Sequence, residues 1–92
     1  MKYDIKTTKK FEKDLKLIEK QGKDVGKLVE LIDRLVAAET LEPRYKDHAL
    51  AGRYRGFREC HIEPDWLLVY QVFNRSLVLV LSRTGSHSEL FS

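Results

Sequence analysis

The chain holds three histidines, all in its second half: His48 falls in a basic loop, His61 on a predicted strand and His87 in the tail after the last strand. Imidazole titrates near pH 6.5, so at neutral pH one such ring accepts a proton while another, held protonated, donates one. Asp65 and Arg83 lie in the same half. A carboxylate can orient an imidazole, and a guanidinium stabilises the charge that builds on a phosphorane. These residue types describe acid–base chemistry on a phosphodiester. A base takes the proton of a ribose 2′-hydroxyl, and an acid gives one to the leaving 5′-oxygen, with no metal or other cofactor required. The charge distribution suits such a substrate. Arg44, Lys46, Arg53, Arg55 and Arg58 are five cations within fifteen residues, offset in that window only by Asp47, a focus able to engage phosphates. The total of +3, from 17 Lys and Arg against 14 Asp and Glu, is weak by comparison.

Other chemistries fit less well. A metal site built from the three histidines and Asp65 lacks any HxH, HxxxH or HxxE spacing that would preorganise a pair, so no metal is expected. The single cysteine, Cys60, excludes an intramolecular disulfide and a cysteine-based zinc site. It also alternates to the strand face opposite His61. Ser82, Ser86 and Ser88 stand in no nucleophile-elbow context, and there is no glycine-rich phosphate loop. Each candidate also has a plain structural reading. A surface histidine is usually solvated, and Asp65 after Pro64 is a turn former. Trp66 beside Leu and Val reads as core. The stripe Lys9, Lys13, Lys16 and Lys20 is either a solvated face or an RNA contact. Phe91 either docks on the core or stacks on a base.

Rigid elements must hold these side chains. A chain of 92 residues is expected to form one domain, residues 1–92, around a single core. With 42% hydrophobic and 34% charged residues and two prolines, it belongs with folded globular chains rather than disordered ones. The longest apolar runs, Trp66 to Tyr70 and Leu77 to Leu81, are far shorter than the roughly 20 residues of a membrane span. The opening Met1-Lys2-Tyr3-Asp4 has no leader-like apolar stretch. A soluble, cytoplasmic protein with no membrane partner is expected.

Alternation over Tyr3 to Thr7 predicts a short strand, and Thr8 is placed to cap a helix. Phe11, Leu15 and Ile18 form the apolar stripe of a helix from Lys9 to Gln21, ended by Gly22. Leu28, Leu31, Ile32, Leu35 and Val36 form that of a second helix, begun at Asp24 and closed before Pro43. The short link predicts an antiparallel hairpin. From about Arg53 the period becomes two. Strands are predicted over Phe57 to Ile62, Trp66 to Phe73 and Leu77 to about Arg83, the last two central in the sheet, followed by a polar tail through Phe91. The fold class is α+β: a short N-terminal strand and an antiparallel two-helix hairpin packed on an antiparallel sheet. On the first of these three strands, Phe57, Glu59 and His61 share one face and Arg58, Cys60 and Ile62 the other. Asp65 is expected beside His61, and the tail is expected to bring Arg83 and His87 towards both.

Three motifs stand in order along the chain: Tyr45-Lys46-Asp47-His48-Ala49-Leu50-Ala51-Gly52, Gly56-Phe57-Arg58-Glu59-Cys60-His61-Ile62-Glu63-Pro64-Asp65-Trp66 and Arg83-Thr84-Gly85-Ser86-His87-Ser88-Glu89-Leu90-Phe91. Together with the order of elements, they closely resemble the YafQ branch of the RelE/ParE toxin superfamily over essentially the whole chain. The resemblance implies a type II toxin that enters the ribosomal A site, on the small subunit, cleaves translated mRNA, and is held inactive by a cognate antitoxin protein. It implies catalytic roles for His48, His61, Asp65 and His87, with Arg83 as a phosphate or transition-state ligand and Phe91 as a base-stacking residue. RelE itself lacks this histidine set and relies on Arg, Lys and Tyr. Lys9, Lys13, Lys16, Lys20, Arg53 and Arg55 are the expected RNA and ribosome contacts, and the toxin alone is expected to be a monomer. His87 is the expected acid and His48 the expected base, with His61 and Asp65 orienting the site. Two other readings remain: a ParE-like gyrase inhibitor, which the histidines argue against, and a non-catalytic RNA- or ribosome-binding module.

Overall fold

Helical spacing of apolar residues builds the first layer. In the computed structural model, which describes residues 3–91, α1 spans Lys9–Lys20 and buries Phe11 and Ile18. The Oγ1 of Thr8 accepts the Phe11 N–H at 3.0 Å, a cap of the kind that contributes about 1 kcal/mol. Gly22, at φ +76°, turns the chain out of the helix. The N–H groups of Gly22 and Lys23 then close the last turn on the carbonyls of Glu19 and Ile18. α2, Val25–Val36, starts at Asp24, whose Oδ1 accepts the Gly26 N–H at 3.0 Å, and buries Leu28, Leu31 and Leu35. Met1, Lys2 and Ser92 lie outside the described residues, and with them part of the expectation about a leader.

The second layer is a sheet of five strands in the order β1-β5-β4-β3-β2. These are β1 (Asp4–Thr7), β2 (His48–Ala49), β3 (Arg58–Glu63), β4 (Trp66–Phe73) and β5 (Val78–Gly85). β3, β4 and β5 form the expected antiparallel meander, with β4 and β5 both interior. The sheet is not antiparallel throughout. β1 lies parallel to β5, with Asp4 opposite Val78 and Thr7 opposite Leu81. Two helices and three strands separate these partners, so no hairpin signal marks their pairing.

Two segments depart from expectation. His48 and Ala49, placed in a loop by sequence, form an edge strand in which His48 lies opposite Glu59 and Ala49 opposite Arg58. The expected polar tail is ordered structure: β5 runs on to Gly85, and α3 covers His87–Phe91. Thr84 is buried there because the indole of Trp66 needs an acceptor. Its Oγ1 takes the Trp66 Nε1–H at 3.0 Å and donates to the Leu67 carbonyl at 2.8 Å.

Strand alternation then divides the apolar residues between two faces. Cys60, Trp66, Leu68, Tyr70, Leu79 and Leu81 pack with Phe11, Ile18, Leu28, Leu31 and Leu35 of the helices. Leu67 and Val69, of opposite phase, form a smaller cluster with Leu50, Phe57 and Leu90 of α3. A Cβ on Gly85 would come within 3.0 Å of Glu89 Oε1 and 3.4 Å of Leu90 Cδ2, so α3 folds back closely only over a glycine. Among the described residues, no helix is long and apolar enough to cross a membrane.

Candidate active site

The face of the sheet turned away from α1 and α2 carries the chemistry. On β3, Glu59 and His61 lie opposite Val69 and Leu67, the residues of the smaller cluster, as their alternation predicts. Cys60 points the other way and is fully buried, and burial pushes its thiol well up, away from nucleophilic use. Pairing of β2 with β3 adds His48 to the same face. Glu59 is 5% exposed. Its Oε2 lies 3.4 Å from His48 Nε2 and 3.6 Å from His61 Nε2.

Both rings are held from behind. His48 Nδ1 lies 2.6 Å from the Lys46 carbonyl, and His61 Nδ1 lies 3.3 Å from that of Pro64. A carbonyl only accepts, so each Nδ1 carries the proton and each Nε2 is the nitrogen left to exchange one. Both Nε2 atoms face the same buried carboxyl group of Glu59. The Lys46 carbonyl reaches the ring because Lys46 sits at φ +48°, a conformation costing a non-glycine residue roughly 1–2 kcal/mol. Asp47 anchors that turn: it accepts the Tyr70 hydroxyl at 2.5 Å and pairs with Arg58 Nη2 at 3.4 Å. Burial, reinforced by Asp47, pushes the Tyr70 phenol up, so it stays a donor.

The third imidazole arrives from the other end of the chain. His87 opens α3, and both its backbone N–H and its Nδ1 contact Asp65 Oδ1, at 3.1 and 2.9 Å. Asp65 therefore serves His87, not His61 as expected from their spacing in sequence. The β3–β4 turn directs the carboxylate towards α3. The backbone N–H of His87, followed by its ring, holds the Asp65 carboxyl below the usual carboxylate range. Its folded-state pKa lies below the unfolded one, so this bond stabilises the fold above the ordinary carboxylate range and is lost only as pH falls through the depressed value. With Nδ1 held by Asp65, Nε2 is the His87 nitrogen left to donate when the ring is protonated. The rings of His61 and His87 stand 5.6 Å apart. His48, Glu59, His61 and His87 thus follow one another by successive contacts.

The remaining candidates are distributed around this row. Arg83 reaches none of the histidines; its guanidinium is paired with Asp14 of α1. It lines a groove of about 290 Å³ with Tyr54, Phe57, Leu90 and Phe91. Phe91 is 36% exposed, packs edge-on against Tyr54 at 5.0 Å and lies 6.4 Å from the His87 ring. It is docked and still presents a ring edge beside the site. Lys9, Lys13, Lys16, Lys20, Arg53 and Arg55 are all exposed, and among the described residues none is paired with a carboxylate. Arg53 and Arg55 flank Tyr54, and so border the site more closely than the α1 lysines do.

Sequence reasoning overlooked Glu59, Tyr54 and Asp14. Glu59 carried a usable signal, a carboxylate in phase with His61 on a strand, but its second partner, His48, required the unforeseen β2. Tyr54 and Asp14 carried none. The structure also assembles a set that spacing alone did not disclose. One ligand atom each from Glu59, His61 and His87 lies within 4.8 Å of the others, a donor set of two imidazoles and a carboxylate that fits a divalent cation. A cation there would supply positive charge and would occupy ring nitrogens that proton transfer needs.

Comparison with known proteins identifies the family. The family described as the bacterial toxin of type II toxin-antitoxin system, YafQ, matches residues 3–92. The mRNA interferase toxin YafQ of Escherichia coli K12 is 40% identical over 89 residues, spanning 96% of this chain and 95% of the relative. A metal-bound toxin from Helicobacter pylori superimposes with a TM-score of 0.91 at 49% identity, covering 97% of this chain and 99% of that one. YafQ in the E. coli DinJ-YafQ toxin-antitoxin complex superimposes with a TM-score of 0.90 at 39% identity, covering the whole of both chains. With the family matched over nearly its full length and the histidine row in place, this chain belongs to the YafQ family of bacterial type II toxins.

Proposed function

We propose that this protein is an mRNA interferase that acts on the ribosome, cleaving translated mRNA in the A site by acid–base catalysis in the cytoplasm, and that a cognate antitoxin protein holds it inactive. The observation that carries the reading is the row His48–Glu59–His61–His87, laid across an open sheet face with a buried carboxylate beneath it. His48 Nε2 takes the proton of the ribose 2′-hydroxyl, and the 2′-oxygen attacks phosphorus. The P–O5′ bond breaks, and His87 gives its Nε2 proton to the leaving oxygen. His48 and His87 stand at opposite ends of the row, as in-line displacement requires of a base and an acid. Glu59 stabilises the protonated base, His61 lies between the two, and Asp65 fixes the tautomer and orientation of His87. Arg83 supports the charge on the phosphorane and Phe91 holds a base. The E. coli relative named an mRNA interferase supports the substrate class, and the DinJ-YafQ complex supports the partner class.

The test is to add purified protein to a translation reaction and map new 5′ ends. Cleavage is expected within the reading frame and only when the message is translated, because so small a basic surface leaves positioning to the ribosome. Equal cutting of naked and translated mRNA would overturn the ribosomal part of the reading.

The six exposed cations give a separate expectation. Reversing the charge of Lys9, Lys13, Lys16, Lys20, Arg53 and Arg55 should weaken ribosome association and reduce its salt dependence by roughly one unit of slope for each phosphate no longer neutralised. Unchanged affinity at several salt concentrations would mean that these side chains only solvate the surface.

A further inference from the structure

Arg83 is gripped from one side. Its Nε donates to Asp14 Oδ2 at 2.7 Å and its Nη2 to Asp14 Oδ1 at 3.1 Å, a two-pronged contact that fixes the plane of the guanidinium. Asp14 Oδ2 also accepts the Thr84 N–H at 3.2 Å, tying the carboxylate to the backbone beside Arg83. Asp14 is itself well placed to hold a fixed position. It lies three residues after Phe11 and four before Ile18, both buried, so it sits on the packed side of α1. The side chains of Asp14 and Arg83 are 13% and 30% exposed. The strand contributes a further device: Val69 pairs with Arg83 but Tyr70 with Leu81, leaving Ser82 as a bulge that re-aims the strand on its C-terminal side. Nη1 of Arg83 has no partner among the described residues, and the side chain lines the groove beside Phe91.

We propose that Asp14 is a positioning residue for RNA cleavage, holding the Arg83 guanidinium so that its free Nη1 edge meets the phosphodiester. Asp14 acts through Arg83 and does not touch RNA. This rests on the reading of Arg83 as a phosphate ligand. A free arginine would have to be ordered as the transition state forms; Asp14 orders it beforehand.

The experiment measures kcat and KM on ribosome-bound mRNA, with thermal stability alongside, for Asp14→Asn, Arg83→Ala and the double variant. Asparagine keeps the shape, but with its one oxygen in the place of Oδ2 its amide NH2 faces Nη2 of Arg83, so the charge and the second prong of the grip are lost. Misplacement of a contacting group costs on the order of 10² in rate, so kcat should fall about 100-fold for Asp14→Asn, with KM little changed. The double variant should be no slower than Arg83→Ala alone, as expected if Asp14 acts through Arg83. A staple between α1 and β5 would couple in the same way, so the deciding comparison is with thermal stability, which the fall in kcat should not follow. Asp14→Glu keeps the charge and the ion pair while moving the carboxylate by one methylene. It should melt with the wild type and still cleave more slowly, which covers the case in which Asp14→Asn fails to fold. Full activity in both Asp14 variants, or losses that multiply in the double variant, would overturn the proposal while leaving Arg83 in its role. Full activity in Arg83→Ala would remove that role and the proposal with it.

Discussion

His87→Ala should lower the rate of mRNA cleavage on ribosomes by about 10² to 10⁴, the usual loss when a general acid is removed, while leaving the fold and antitoxin affinity intact. The expectation of a mild structural effect comes from the site itself. The His87 side chain is 53% exposed, and its backbone N–H still reaches Asp65 once the ring is gone. The loss should appear in kcat, because the missing proton is needed only as the 5′-oxygen leaves. Growth inhibition by the expressed variant should fall in parallel. A variant that still arrests growth without cutting mRNA would point to a binding module. One that cuts at the full rate would move the acid elsewhere, with Asp65 and Arg83 the next groups to test. Phe91→Ala should instead weaken productive placement of the message, since one stacked base contributes roughly 1 to 3 kcal/mol.

The larger effect is expected from the substrate. A single 2′-deoxy substitution at the scissile nucleotide should reduce cleavage to background, because the reaction written through His48 and His87 has no other nucleophile. With the natural ribose, the fragments should carry a 2′,3′-cyclic phosphate, or the 3′-phosphate formed on its opening, and a 5′-hydroxyl. A 5′-phosphate, or cleavage that survives the deoxy substitution, would mean that water rather than ribose attacks. The histidines would then need new roles, and the donor set of Glu59, His61 and His87 would become the place to look for a cation. End-group analysis needs no removal of magnesium, which the ribosome requires for its own integrity.

Local rules made much of this protein legible in its sequence. Helical spacing marked α1 and α2, and the caps at Thr8 and Asp24 and the stop at Gly22 fell where side-chain chemistry placed them. Alternation on β3 correctly put Glu59 and His61 on one face and Cys60 on the other, because neighbouring side chains on a strand must point to opposite sides. The residue types also pointed to the proposed chemistry, since imidazoles beside cations suit a phosphodiester. The partners were what only the tertiary structure decided. Asp65 was matched to the nearer His61 in sequence and pairs with His87, 22 residues on. His48 was placed in a loop, yet a two-residue strand sets it opposite Glu59. Arg83 was expected among the histidines and is held by Asp14, 69 residues away. The parallel pairing of β1 with β5 was equally hidden. Periodicity and capping depend on a few consecutive residues, so they can be read along the chain. Which carboxylate meets which cation depends on strand order, the bulge at Ser82 and the return of α3 over Gly85, and these are set by packing distant segments against both faces of the sheet.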